Sequence, residues 1–317
     1  MAARPRRRDG AGIALVLVLW VLALLTVMAL GLTTAQRTES ALTRNQLDAA
    51  RFRALADAGI NLVALELMRP ALDPAEVEAE MADSWVPDGQ PRSLRFDGFE
   101  LEVGLYNEAS RLDLNAATRE QLAALVQLAQ GDEAVDETLP DRIADAIVDW
   151  RDSDDLAQVN GAEDGDYEAA GLPYGARDGP FESVEELREV LGMTRELYQV
   201  LAPDLTVNNP SGRIDEQFAS ANLLAVTQGL TLDDAQQLIE QRRQPLLPDA
   251  APAVPLSRGG PLYRIRISLA RGDAARRTME ALVQIQRGGR DPVVVLWRRY
   301  GLLDTAPSGA ERTAVSE

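Results

Sequence analysis

An almost unbroken apolar run from Ile13 to Leu32 limits what this chain can fold into more than any other feature. Broken only by Thr26 and Gly31, it has the roughly 20 residues a helix needs to cross ~30 Å of hydrocarbon. Arg4, Arg6, Arg7 and Arg8 stand before it, and a large acidic body follows. By the positive-inside rule this order predicts one span with a cytoplasmic amino terminus and an exported body. A secretory signal peptide would have a shorter apolar stretch ending in small residues, whereas here Gly12 comes before the run. An uncleaved signal anchor fits the same pattern.

The helical pattern goes on past the span. Leu42, Leu47, Phe52, Leu55, Ile60, Leu62, Val63 and Leu65 recur at spacings compatible with one apolar stripe, and Pro70 stops it. One helix over 13–68 would be about 84 Å long at ~1.5 Å per residue, too long for an ordinary soluble helix. Two helices parted near Gly31 are the alternative.

Composition then removes whole classes of function. No cysteine is present, which excludes disulfides, thiolate zinc sites and a cysteine nucleophile. No histidine is present either, so the usual general base and the commonest transition-metal ligand are missing. Acidic pairs such as Asp154 and Asp155 could in principle do general acid/base or two-metal chemistry, but no nucleophile motif accompanies them, and the chain is read as no enzyme. All cationic side chains are arginine, and the formal net charge of −18 repels phosphate backbones. No nucleic-acid partner is expected, and a divalent cation is the more natural small ligand.

The fold class predicted is α+β. After a proline-rich acidic linker around Pro70 to Pro91, residues 92–109 form the first part of a sheet, with a hairpin turning at Asp97-Gly98. The alternation returns over 262–300, where Tyr263, Ile265, Ile267 and Leu269 oppose Leu262, Arg264, Arg266 and Ser268. The sheet is therefore split in sequence by a helical domain inserted over 110–243. Helix starts are marked there by Thr118 with Gln121, Ser183 with Glu186, and Thr231 with Asp234, which have capping-box spacing. A linker rich in proline and alanine spans 244–261, and residues 301–317 are a flexible tail.

Several strings give this layout a family. A basic leader, 1–12, ending in Gly12 before Ile13-Ala-Leu-Val-Leu resembles the class III signals of type IV pilins and pseudopilins. The resemblance implies that a prepilin peptidase cuts between Gly12 and Ile13 and methylates the new amino terminus. Leu112-Asp-Leu-Asn-Ala-Ala-Thr118, Asp149-Trp-Arg-Asp-Ser-Asp-Asp155, Asn160-Gly-Ala-Glu-Asp164, Ala170-Gly-Leu-Pro-Tyr174 and Gly179-Pro-Phe-Glu-Ser-Val-Glu-Glu-Leu187 resemble the K-type minor pseudopilins of type II secretion systems. Most pilins carry a glutamate at the fifth mature position, but this chain has Leu17 there, and K-type subunits are the ones that typically lack that glutamate. The family implies a pilin-like sheet head on a transmembrane stalk. It also implies a place at the pseudopilus tip with I- and J-type minor pseudopilins, starting assembly for export of folded proteins across the outer membrane. The other implied partners are the major pseudopilin, the inner-membrane assembly platform and inner-membrane lipid, with the body in the periplasm.

From Gly131 to Glu168 fourteen acidic residues face only Arg142 and Arg151. Such density repels itself unless it is solvated or holds a hard cation, which needs several oxygen ligands on a loop able to wrap it. Asp152, Asp154, Asp155, Glu163, Asp164, Asp166 and Glu168 can supply those oxygens, with Gly161 and Gly165 expected to allow sharp bends. The spacing is not that of an EF-hand. The K-type resemblance implies that the ligand is calcium, one or two ions, in this inserted domain.

Leu112-Asp-Leu-Asn-Ala-Ala-Thr118, Gly179-Pro-Phe-Glu-Ser-Val184 and Leu191-Gly-Met-Thr-Arg195 also resemble helix-hairpin-helix (SAM-like) modules. The alternative function is thus a membrane-anchored DNA-binding protein of that kind. Its turns, Gly192-Met-Thr and Gly229-Leu-Thr, have no lysine nearby and are set in acid, so the expectation is a kept fold without its phosphate contacts.

Overall fold

The structure, a computed structural model, describes residues 11–69, 85–131, 136–243, 258–271, 274–286 and 291–301. The expected leader up to residue 10, residues 70–84 and 244–257 of the two linkers, and 302–317 of the tail lie outside the described residues. The chain divides into two compact units, residues 1–57 and 58–317.

Helix α1, Ala11–Met68, is continuous for 58 residues, so the alternative of two helices does not hold. One glycine costs a helix only about 1 kcal/mol relative to alanine, too little to end it amid leucine and alanine. Leu15–Leu32 is long and apolar enough to cross a membrane, and none of it is buried within the structure. The polar group of Thr26 is absorbed by the helix itself, its Oγ1 donating to Leu22 O at 2.8 Å. The expected apolar stripe needs correction. Phe52, Leu55, Ile60 and Val63 are buried, but Leu42, Leu47, Leu62 and Leu65 are exposed. At 100° per residue Leu62 and Leu65 fall on the side of α1 opposite Ile60, Val63, Ala64 and Leu67.

In the second unit the end of α1 lies on a sheet. Gly59 marks the contact, since a Cβ there would stand 2.8 Å from Ile267 Cδ1. Strands β1 (Asp88–Phe96) and β2 (Phe99–Asn107) form the expected hairpin, with Asp97 at φ 48° and Gly98 at φ 75°, the left-handed pair a two-residue turn requires. β1 starts earlier than residue 92. Gly89 at φ 76° and the register shift between Asp88 and Pro91 hide that start from a reading by alternation.

The described insertion opens with a two-residue strand β3 (Leu112–Asp113), followed by α2 (Arg119–Gln130), α3 (Leu139–Arg151) and α4 (Asp164–Ala169). Helix α5 (Arg195–Leu201), strand β4 (Leu205–Thr206), α6 (Ala221–Gln228) and α7 (Leu232–Arg243) complete it. β3 and β4 pair in parallel, a short ladder that the expectation of a mostly helical insertion did not include. Around it Leu114, Val126, Ile147, Leu187 and Leu224 form one core. Thr118 and Gln121 make the expected reciprocal cap, Gln121 N donating to Thr118 Oγ1 at 3.3 Å and Thr118 N to Gln121 Oε1 at 2.9 Å. Thr231 Oγ1 accepts from Asp234 N at 3.1 Å. The Ser183 box begins only a five-residue 3-10 helix, Val184–Arg188, and no α-helix.

The chain then returns through β5 (Leu262–Arg271), β6 (Ala274–Ile285) and β7 (Val293–Tyr300), giving the sheet order β1-β2-β5-β6-β7. β2 and β5 are antiparallel neighbours in register from Leu101↔Leu269 to Asn107↔Tyr263, so the insertion sits where a hairpin turn would be. Leu101, Val103, Leu105, Tyr263, Ile265 and Ile267 are buried, and the alternation holds until Ser268, which is buried where a polar-out residue was expected. On the way back Arg258 donates to Glu66 O, and to Arg69 O at 3.2 Å, placing a cation on the carbonyls at the end of α1.

Candidate functional site

The acidic loop is built from α3 outward. Asp145 and Asp149, one helical turn apart, lie on the same side of α3 and hold the loop that follows it. Asp149 accepts from Gln158 N at 3.1 Å and from Ala162 N at 2.8 Å. Asp145 accepts from Asn160 N at 3.1 Å and Asn160 Nδ2 at 3.0 Å, and pairs with Arg119. Gly161 is needed here for space: a Cβ would stand 1.8 Å from Asp149 Oδ2. Gly161 also closes a turn at Val159-Asn160, its N donating to Gln158 O at 3.0 Å, whereas Gly165 lies inside α4.

Below the loop the family strings meet. Asn115 reaches across to Phe181, its Oδ1 accepting from Phe181 N at 2.8 Å and its Nδ2 donating to Phe181 O at 3.0 Å. Trp150 packs with ring centroids 5.9 Å from Tyr167 and 6.2 Å from Phe181. Asp113 Oδ2 accepts from Asn209 N at 2.6 Å, which fixes the end of β4 to β3.

Of the seven carboxylates expected as ligands, the structure brings some together. Glu163, only 8% exposed, has Oε1 buried without a hydrogen-bond partner, and so has Asp152 with its Oδ1. Burial, then the charges of Asp149, Asp152, Asp178 and Asp155, push the Glu163 carboxyl up to about 7. Asp178 was not foreseen; desolvation, then Asp164, Asp155 and Asp152, shift it upward as well. Asp164 Oδ1 abuts Gly175, where a Cβ would come within 1.7 Å. Asp154 and Asp166 each commit an oxygen to a backbone amide, Leu156 N at 3.0 Å and Glu163 N at 3.1 Å, and Glu168 is exposed on α4. Among the described residues no three such groups are already close enough to hold an ion. The arrangement is a half-buried, self-repelling group of hard oxygen donors, which suits a hard divalent cation better than any transition metal.

A second polar centre, missed from sequence, joins the insertion to the sheet. Glu108 is fully buried beside β5, accepting from Arg264 Nε at 3.0 Å, and Arg264 Nη1 donates to Glu280 at 2.9 Å. Thr206 of β4 donates its hydroxyl to Glu108, and Arg266 pairs with Glu280 at 3.1 Å. Burial alone would raise the Glu108 carboxyl, but Arg264, with Arg111 and Thr206, holds it at about 2. Arginines on the polar side of β5 were the one sequence signal available.

At the amino end Gly12 and Ile13 lie in the first turn of α1, and Leu17 is 61% exposed on the apolar span. The hairpin turns behave as helix stops: Gly192 and Gly229 are left-handed, and Thr194 and Thr231 then cap α5 and α7.

An apolar helix long enough to cross a membrane, a helix end laid on an antiparallel sheet and a helical domain inserted within that sheet make up the architecture expected of a membrane-anchored, pilin-type subunit. Residues 103–211 match the family described as type II secretion system protein K. The chain is 31% identical over 248 residues to the type II secretion system protein K of Klebsiella pneumoniae, covering 73% of this chain and 74% of that one. It is 28% identical over 250 residues to the protein of the same name from Pseudomonas aeruginosa, covering 74% and 73%. Its fold is similar to a chain in the crystal structure of the GspK-GspI-GspJ complex from enterotoxigenic Escherichia coli, with TM-score 0.58, 22% identity and coverage of 82% of this chain and 99% of that one. The chain belongs to the type II secretion system protein K family, the minor pseudopilins of that machine. The DNA-binding alternative finds no support in these likenesses.

Proposed function

We propose that this minor pseudopilin sits at the pseudopilus tip, joins I- and J-type minor pseudopilins and starts assembly of the fibre, without catalysis of its own. One observation carries the reading: an apolar Leu17 on a continuous α1, in a chain whose sheet carries a large helical insertion. A buried carboxylate among packed spans is costly without a partner cation, so a subunit with no neighbour above it is better served by leucine. The similar solved chain was crystallised with GspI and GspJ, which supports those partners. In this reading the prepilin peptidase cuts after Gly12, α1 lodges in the inner membrane beside the assembly platform, and the body works in the periplasm. The major pseudopilin adds below it, and the helical insertion keeps a helix-hairpin-helix-like form with no DNA role.

The acidic group fits calcium. Asp152, Asp155, Glu163 and Asp164, joined by Asp178, would hold the ion, which would supply the positive charge that Glu163 and Asp152 lack. Asp154 and Asp166, which each already accept from a backbone amide, and Glu168 would supply any further oxygens.

Mass spectrometry of the chain made with and without prepilin peptidase tests the anchor: an N-methylated Ile13 terminus is expected, and an intact leader would leave a plain signal anchor. Co-purification of the full chain with I- and J-type subunits tests the tip complex. Wild-type protein spaced evenly along isolated fibres would overturn the tip position. Calorimetric titration with calcium tests the ion, and no heat above background at millimolar calcium would remove it.

A further inference from the structure

Two side chains of the acidic loop are left in water without a structural use. Val159 is 97% exposed and Leu156 is 75% exposed. The loop that presents them is not slack. Leu156 N is held by Asp154, Gln158 N and Ala162 N by Asp149, and Asn160 N by Asp145, at 2.8 to 3.1 Å. Turning Leu156 and Val159 inward would break these bonds, and the core beneath is already filled by Trp150, Tyr167 and Phe181. Apolar side chains held outward on a fixed backbone are the form of a binding anchor, because little ordering cost remains to be met on association.

We propose that Leu156 and Val159 form a docking knob for another protein, whose surface offers an apolar socket rimmed by arginine or lysine. The choice of occupant follows from charge. Asp152, Asp154 and Asp155 flank the knob and Asp164 and Asp178 lie close to them; a bound calcium ion would offset only two of these charges, so the surround stays anionic, repels anionic lipid headgroups and favours a basic rim. A second copy would offer its cavity of 330 Å³ lined by Arg188, Arg195, Met193 and Tyr198, but it also brings a net charge of −18. A different protein is therefore the occupant. This inference rests on the reading of the chain as a secretion-machine subunit, since it requires a partner met during export.

The test uses the full chain in secreting cells, with a benzophenone amino acid at position 159 and, as control, at exposed Asp233. A discrete adduct with one other protein is expected from position 159 and not from 233. It should fall at least about tenfold with Leu156→Asp, as for loss of an interface anchor. Secretion should fall in parallel for Leu156→Asp/Val159→Asp, while Leu156→Met/Val159→Ile keeps both. Because the two side chains are exposed, the purified aspartate variant should melt as the wild type does, which separates docking from folding. No adduct above control, an adduct with a second copy of this chain, or wild-type secretion by the aspartate variant would overturn the proposal. If deletion of the chain leaves secretion intact, the secretion reading fails instead, and the adduct still decides whether the knob docks.

Discussion

At Gly161 a single methyl group would stand 1.8 Å from Asp149 Oδ2, the oxygen that accepts from Ala162 N. Gly161→Ala therefore has to push Asp149 off the loop and leave buried amides without acceptors. A loss of about 2–4 kcal/mol in urea unfolding is expected, with reduced order in the loop. Glu163 gives a pH test. Its carboxyl is raised in the fold, so the native chain binds that proton more tightly. Stability from this group is complete below the ordinary glutamate value of 4.5 and is lost as pH rises through about 7. In chelator the melting temperature should fall between pH 5 and pH 8, and Glu163→Gln should flatten that fall. With calcium added at pH 8 the wild type should regain stability and the variant much less. An unchanged pH slope in Glu163→Gln would show that this carboxyl is not strained.

Between elements, the joint of Glu108, Arg264 and Glu280 ties β5 and β6 to the turn that follows β2 and, through Thr206, to β4. Glu108→Ala leaves the buried guanidinium of Arg264 with Glu280 alone and the Thr206 hydroxyl without its acceptor, and a cost of about 2–4 kcal/mol in denaturant unfolding is expected. Here the sign is the reverse of Glu163. A carboxyl held at about 2 contributes stability that is present above 4.5 and lost as pH falls toward 2. Urea midpoints of Glu108→Gln and wild type should differ at pH 7 and converge near pH 2. This joint marks the limit of what could be read from residue order. The Asp97-Gly98 turn, the Thr118 cap and the apolar span are local, so neighbouring residues declare them. Glu108 and Arg264 are 156 positions apart, and nothing near either names the other. The β3–β4 ladder is two residues long on each side, too short to show a period. At the acidic loop the carboxylates were legible as a group by sheer density. Which of them face each other was not, because the backbone bonds of Asp145 and Asp149 decide it, and Asp178 arrives from beyond α4.

At the scale of the molecule, membrane side is the property most open to a direct check. Protease added to spheroplasts should digest the body while the α1 span stays protected, and digestion only after lysis would reverse the orientation read from the arginines. Asn107 and Tyr263 are opposite partners on adjacent strands, although the whole insertion separates them in the chain. The sheet's hydrogen bonding is therefore indifferent to what hangs from that point, provided its two ends return side by side. The fold works as a mounting plate with one fixed fitting, on which the helical domain could be lengthened or remodelled without disturbing the pairing of β2 and β5.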